Sequence, residues 1–260
     1  MLKFLDLKPE EYDKVLSVVD LFCIVQGEGL HAGTPHILIR TTGCNLNCQF
    51  EDGCCDTSYA SWGAERGKYS LNDVISVIKA NPQIKHTMIT GGEPTYNKGT
   101  LTILCEILKS AGHFVTIETN GTLFVPTVAD FLSISPKLKN SIPKVGTLLP
   151  DKLVARVVTA ADRLRHEQSR VNYENTRKMI QYHPDYQLKF VVSDDEQYKE
   201  IKLIQKELGV PNDKIYLMPE GITNEQLAKR RIPIIEKAIE LGYNFTDRLH
   251  IIAYGDVRIS

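Results

Sequence analysis

Residues 86–119 read HTMITGGEPTYNKGTLTILCEILKSAGHFVTIET, and the changes of rhythm along that stretch set the fold. A short run rich in β-branched residues over 86–90 gives way at Gly91-Gly92-Glu93-Pro94 to a helical pattern over 99–111, and a second such run follows over 113–118. Strand, helix, strand is the pattern of parallel neighbours joined by a crossover helix. The alternation continues in both directions. Strands are expected near 35–41, 131–135, 187–192, 215–218 and 249–254, and helices near 71–80, 152–181, 195–208 and 224–241. Ser70 is suited to N-cap the helix at 71–80, and Pro150 stands just ahead of 152–181. Repeated strand-then-helix units predict an α/β protein built as an incomplete, TIM-like parallel barrel.

The phrases richest in chemistry fall just after expected strands: Thr42 to Cys44, Thr90 to Pro94, Glu118 to Gly121, Ser135 to Lys137, and Leu217 to Gly221. Loops after strand C-termini form the active-site face of such barrels, so these five segments should meet at one cavity. We expect a single domain over 1–260 with a helical insertion at about 139–182. That segment interleaves Arg156, Arg163, Arg165, Arg170 and Arg177 with acidic and apolar residues. Such a pattern suits a solvated helix packed on its apolar stripe better than a surface for RNA or a partner.

The 260 residues are 42% hydrophobic and 24% charged, enough to bury a full core. Lys and Arg total 31 against 32 Asp and Glu, a formal net charge of -1. No global field therefore draws the chain to nucleic acid or an anionic membrane, and a small molecule is the better partner class. No apolar run approaches the ~20 residues that cross a bilayer, and the opening residues lack a signal-peptide pattern. A cytoplasmic protein is expected.

Four of six cysteines, Cys44, Cys48, Cys54 and Cys55, crowd into a dozen residues, while Cys23 and Cys105 stand apart in apolar surroundings. In a reducing compartment this suggests metal ligation over a disulfide framework. Thiolates suit an iron–sulfur cluster or zinc. Adjacent Cys54 and Cys55 do not both reach one small cluster without backbone strain, which favours three protein ligands and an open metal position; a zinc knot using all four is the alternative.

Cys44-x3-Cys48 with a third cysteine, followed by Gly91-Gly92-Glu93-Pro94, resembles the radical S-adenosylmethionine superfamily. Further blocks resemble the 7-carboxy-7-deazaguanine synthase family: Val25 to Gly29, Ile39-Arg40, Gly43 to Leu46, Cys55-Asp56-Thr57 with Trp62, Glu118 to Thr122, and Ser135-Pro136-Lys137. The sequence departs from the family's usual spacing, since six residues rather than two separate Cys48 from Cys55. The following Asp56-Thr57 favours Cys55 as third ligand, with Cys54 as the alternative. The segment after Lys137 is also longer than the family norm.

The resemblance implies the barrel of that superfamily, a 4Fe-4S cluster on Cys44, Cys48 and Cys55, and S-adenosylmethionine bound at the open iron as the source of a 5′-deoxyadenosyl radical. Cofactor contacts carried over by position are Asp56, Gly91, Gly92, Glu93, Glu118, Asn120, Ser135, Pro136, Lys137, Leu217, Met218, Pro219 and Glu220. Thr57 matches the family's Mg2+ ligand. The implied substrate is 6-carboxy-5,6,7,8-tetrahydropterin, held by Val25, Gln26, Gly27, Glu28, Arg40, Thr90 and Ser260, with Gln26 and Glu28 meeting its N–H edge and Arg40 its carboxylate. No side chain is singled out as catalytic, since the cluster and cofactor carry the chemistry. The implied reaction is a ring contraction with loss of ammonia, by a lyase of 7-deazapurine (queuosine-type) biosynthesis. A homodimer and an electron donor such as flavodoxin are implied on the same basis. The rivals are a glycyl-radical activase, which has no need of Gln26, Glu28 and Arg40, and a non-catalytic zinc module.

Overall fold

Backbone hydrogen bonding in the computed structural model, which describes residues 9–51, 53–149, 156–183, 185–255 and 258, follows the alternation read from the sequence. The strands in chain order are β1 (Val18–Val25), β2 (Pro35–Thr41), β3 (Gln49–Phe50), β4 (Gly53–Cys54), β5 (His86–Gly91), β6 (Phe114–Thr119), β7 (Phe131–Ile134), β8 (Leu148–Leu149), β9 (Arg156–Val157), β10 (Tyr186–Val192), β11 (Ile215–Pro219) and β12 (Asn244–Phe245). The helices are α1 (Pro9–Tyr12), α2 (Ser58–Ser61), α3 (Leu71–Ala80), α4 (Lys98–Ser110), α5 (Ala160–Ser169), α6 (Tyr173–Tyr182), α7 (Glu196–Leu208), α8 (Asn224–Leu241) and α9 (Leu249–Tyr254). One sheet runs β1-β2-β5-β6-β7-β10-β11-β12. Within it β1 lies antiparallel to β2 and the later pairs are parallel.

Period-two alternation sorts each central strand into two faces. Ile37 and Ile39 of β2, Ile89 of β5, Val115 and Ile117 of β6, and Leu188 and Phe190 of β10 are buried against the helices. Helices α3, α4, α7 and α8 answer with Val74, Leu104, Ile201 and Ile234. Each such side chain removed from water contributes about 1.5–3 kcal/mol before ordering entropy is charged. The intervening residues, Leu38 and Arg40, Met88 and Thr90, Glu118, Ser133, Lys189 and Val191, face a central cavity. The barrel is partial: where its edges approach, the contacts include Gly29 N–H donating to Thr246 Oγ1 (2.6 Å) and Leu249 N–H donating to the Gly27 carbonyl (3.0 Å).

Two expected elements are corrected. The helix expected over 152–181 is two helices, with Pro150 and residues 151–155 outside the described set. Thr159 and Asn172 would be mid-helix in a single rod; instead each side chain caps a new start, accepting from the backbone N–H of Asp162 and of Asn175. The segment 139–182 also carries the β8–β9 hairpin, so it is not wholly helical. The run at 249–254 is helix α9, not a strand. Only Ile251 of that helix is buried, while Ile252 and Tyr254 are exposed, so its apolar residues do not serve a period-two face. Pairing along β12 ends at Phe245, where Thr246 and Arg248 turn to the loop after β1. Strands β1 and β12 of the main sheet, and the short strands β3, β4, β8 and β9, have no counterpart among the expected strands. Ser70 caps α3 in a full capping box with Asp73. Among the described residues no helix is long and apolar enough to cross a membrane.

Candidate active site

A cavity of about 610 Å³ opens at the C-terminal ends of the parallel strands and is lined by all four clustered cysteines. The residues that lengthen the spacing between Cys48 and Cys55 form a hairpin: Gln49 pairs with Cys54 and Phe50 with Gly53. The hairpin folds out and back, so Cys55 N–H donates to the Cys48 carbonyl (3.2 Å). Six residues of separation thereby become direct adjacency. Trp62, 8% exposed, fixes the turn by donating its indole N–H to the same Cys48 carbonyl (2.9 Å), and its ring packs with Val158 against Cys54 and Cys55. His166 of α5 braces the loop from the other side, as its Nδ1 accepts from Asn47 N–H (3.2 Å).

Burial pushes the Cys44 thiol up to about 12, with the Glu93 charge adding to the effect, and raises Cys48 and Cys55 as well. Cys44 and Cys48 both sense the charge of Cys55, and the Lys137 ammonium acts on all three in the opposite sense. Soft donors in a desolvated pocket are stable as thiolates only beside compensating positive charge, which a bound metal cluster supplies. Among the described residues, no three His, Cys, Asp or Glu side chains converge as a single-ion site would require.

Behind the cysteines, Gly91 and Gly92 are fixed by the chain's own packing. A Cβ on Gly91 would lie 2.2 Å from the Thr41 carbonyl oxygen, and one on Gly92 would lie 2.2 Å from that of Ala60 and 2.4 Å from that of Gly43. Both glycines line the cavity. Glu93 does not. It is fully buried, and its carboxylate accepts from Thr95 N–H and Oγ1–H, Thr119 Oγ1–H and Asn120 N–H, tying the loop after β5 to the end of β6. Its carboxylate thus braces the loop that carries Gly91 and Gly92. Asn120 faces the cavity and donates to Asn45 Oδ1 (3.0 Å) beside Cys44.

Other expected contacts separate by alternation. Ser135 and Lys137 line the cavity, with Lys137 Nζ donating to Ser135 Oγ (2.9 Å), whereas Pro136 between them does not. Met218, Pro219 and Glu220 line it, but the Leu217 side chain points into the helix-facing core and offers the cavity nothing. Thr57 reaches the cavity with Oγ1 3.4 Å from Cys55 Sγ. Ser260 lies outside the described residues.

The opposite wall gathers Val25 at the end of β1 and Gln26, Gly27 and Glu28 just after it, with Arg40 and Thr90. Arg40 pairs with Thr90 across β2 and β5, and Glu118 stands beside Thr90 on β6. Glu118 accepts from Thr90 Oγ1–H (3.2 Å), Gln26 Nε2–H (3.5 Å) and Lys189 Nζ–H (3.2 Å). Arg40 donates from Nε to Asp20 (3.0 Å), which also accepts from Tyr59 and from Arg258, whose guanidinium stacks 3.6 Å from the Tyr59 ring.

Ion pairs invisible to the motif reading join this wall to the cysteine loop. Arg248 donates to Glu28 (3.0 Å), to the Gly221 carbonyl (2.6 Å) and to Asp56, and Lys189 donates to Glu28 as well. Burial alone would raise the Glu28 carboxyl, but the charges of Lys189, Arg248 and His250 outweigh it and hold the group well below the usual carboxylate range. Asp56 is lowered in the same way, burial being overcome by Arg248. Lys189 carried a signal that could have been read: it is a lone charge in an apolar strand. Arg248 carried none, since its partners lie 192 and 220 residues away in sequence.

Residues 38–139 match the radical SAM superfamily. A 7-carboxy-7-deazaguanine synthase of Rhodopirellula baltica is 37% identical over 94% of this chain and 88% of its own length. The chain belongs to the 7-carboxy-7-deazaguanine synthase family. A synthase of Halobacterium salinarum is 34% identical over 93% of this chain and 91% of its own length. The crystal structure of QueE from Escherichia coli superposes with a TM-score of 0.57 at 21% identity, covering 88% of this chain and 92% of that one, a likeness of fold. Family membership brings a 4Fe-4S cluster and S-adenosylmethionine, which the cysteine-lined cavity suits.

Proposed function

We propose that this chain is a 7-carboxy-7-deazaguanine synthase, a radical S-adenosylmethionine lyase that contracts the ring of 6-carboxy-5,6,7,8-tetrahydropterin with loss of ammonia, in 7-deazapurine biosynthesis. The observation that carries the reading is one cavity with soft thiol donors on one wall and a Gln26, Glu28, Arg40 and Glu118 set on the other. When bound, the cluster and S-adenosylmethionine supply one-electron chemistry able to take hydrogen from carbon. The chain's own residues orient and exclude. Cys44, Cys48 and Cys55 hold the cluster, and the adjacency of Cys48 and Cys55 supports that choice over Cys54. Gly91, Gly92, Asn120, Ser135, Lys137 and the Met218 to Glu220 strand end bound the cofactor.

Gln26 and Glu28 take the donor edge of the pterin, and Arg40, braced by Asp20, grips the carboxylate through its outer nitrogens. Thr57 beside Cys55 serves Mg2+, with oxygen from substrate and water completing the shell. The protein acts as a single domain, as a cytoplasmic homodimer, and takes electrons from a donor such as flavodoxin. An activase reading is not favoured, because it gives no task to the acceptor-rich wall. The test is anaerobic incubation of reconstituted enzyme with the carboxylated tetrahydropterin, reductant and S-adenosylmethionine. Formation of 7-carboxy-7-deazaguanine is expected, and its absence from cluster-replete enzyme overturns the reading.

A further inference from the structure

Lys189 sits in the middle of β10 between Leu188 and Phe190, both fully buried, yet its side chain faces the cavity with 4% exposure. A buried ammonium persists only where acceptors surround it. Here Glu28 and Glu118 each accept one of its protons. An ammonium carries three donors and no acceptor, so one N–H remains, and no other side chain among the described residues takes it. The cavity therefore presents carboxylate oxygens on either side of a cation that can only donate.

We propose that Lys189 is a specificity-determining residue whose remaining N–H reads the ring carbonyl of the substrate, so that the site takes a 2-amino-4-oxo pteridine and rejects a 2,4-diamino one. The inference rests on the pterin reading given above. The edge of a pterin offers two adjacent N–H donors and then a carbonyl acceptor, and a carboxylate beside an ammonium complements that order. Replacing the 4-oxo by a 4-amino group sets donor against donor. The placement agrees with the rest of the wall: Arg40 pairs with Thr90 across β2 and β5, and Thr90 donates to Glu118 on the next strand, so Arg40 and Glu118 stand two strand spacings apart, about 10 Å. That span matches a bicyclic ring with a carboxylate at its far end, leaving the pyrimidine edge beside Glu118, Glu28 and Lys189.

The test is equilibrium binding of pterin-6-carboxylate and of 2,4-diaminopteridine-6-carboxylate to cluster-loaded protein with S-adenosylmethionine, followed by quenching of pteridine fluorescence, with no turnover. Wild type should prefer the 4-oxo compound by roughly 10- to 100-fold, the range of one hydrogen bond to a charged group. Lys189→Gln, whose amide both donates and accepts, should bind the two within about threefold of each other, and Lys189→Arg, still a pure donor, should retain the preference. If Lys189→Gln does not fold, the charge-balanced double variant Glu118→Gln with Lys189→Gln is measured in its place. A wild-type preference that survives either Gln variant overturns the role of Lys189 alone. Wild type that binds neither pteridine overturns the substrate reading and this inference with it.

Discussion

Acidification should loosen the cysteine loop through His166. This ring is 1% exposed on α5, and its hydrogen bonds define its neutral tautomer: Nδ1 accepts from Asn47 N–H (3.2 Å), so Nε2 carries the proton and donates to Ser141 Oγ (3.0 Å), which in turn donates to the Leu138 carbonyl (2.6 Å). A proton on Nδ1 would oppose donor to donor. Burial, reinforced by the Arg170 and Lys137 charges, lowers the group from 6.5 to about 4. The unfolded chain therefore takes up this proton first, and the stability contribution is full above pH 6.5 and is lost as pH falls toward 4. At 1.36 kcal/mol per unit, most of that shift is expressed by pH 4.5, a loss of about 2 kcal/mol relative to pH 7. The assay is urea unfolding at pH 7.0, 5.5 and 4.5 for wild type and His166→Gln, whose amide can accept from Asn47 and donate to Ser141 without titrating. The gap between the two proteins should close or invert by about 2 kcal/mol on acidification. Parallel loss in both would refute the reasoning.

Three other outcomes follow from the site. Cys55→Ala should lose bound iron and sulfide after reconstitution while Cys54→Ala retains them, and the reverse would reassign the third ligand. Gly92→Ala forces a methyl within 2.2–2.4 Å of two backbone carbonyls, so unfolding free energy should drop by about 1–3 kcal/mol and S-adenosylmethionine binding should weaken; a neutral effect in both measurements would show that the loop has room. Arg248→Leu leaves Glu28 and Asp56 without their shared guanidinium, and chemical denaturation should register a loss of about 3 kcal/mol. An unchanged midpoint would mean that water replaces the pair without penalty.

The alternating β and helical rhythms, the cysteine spacing and the five strand-end phrases were legible because each is local. A helix such as α3 announces itself through its Ser70 cap and its apolar period, and strand β5 through its run of Thr and Ile, whatever the rest of the chain does. Leu217 shows the limit of phrase reading, since its neighbours face the cavity while a period of two turns it toward the helices. The run at 249–254 shows another, because an Ile-rich hexamer suits strand or helix equally until a sheet edge accepts or declines it.

What the sequence determined by itself was therefore the fold class, the crowding of four cysteines into one loop and the set of strand-end phrases that meet at one cavity, all fixed by short-range spacing and strand-end position. Only the tertiary structure decided that a hairpin sets Cys55 beside Cys48, that the Glu93 carboxylate ties the loop after β5 to the end of β6, and that Lys189 and Arg248 link Glu28 to Glu118 and Asp56. Those pairings depend on which side chains share the interior of a curved sheet. Charge acts through space across residues far apart in the chain, and no local pattern records it.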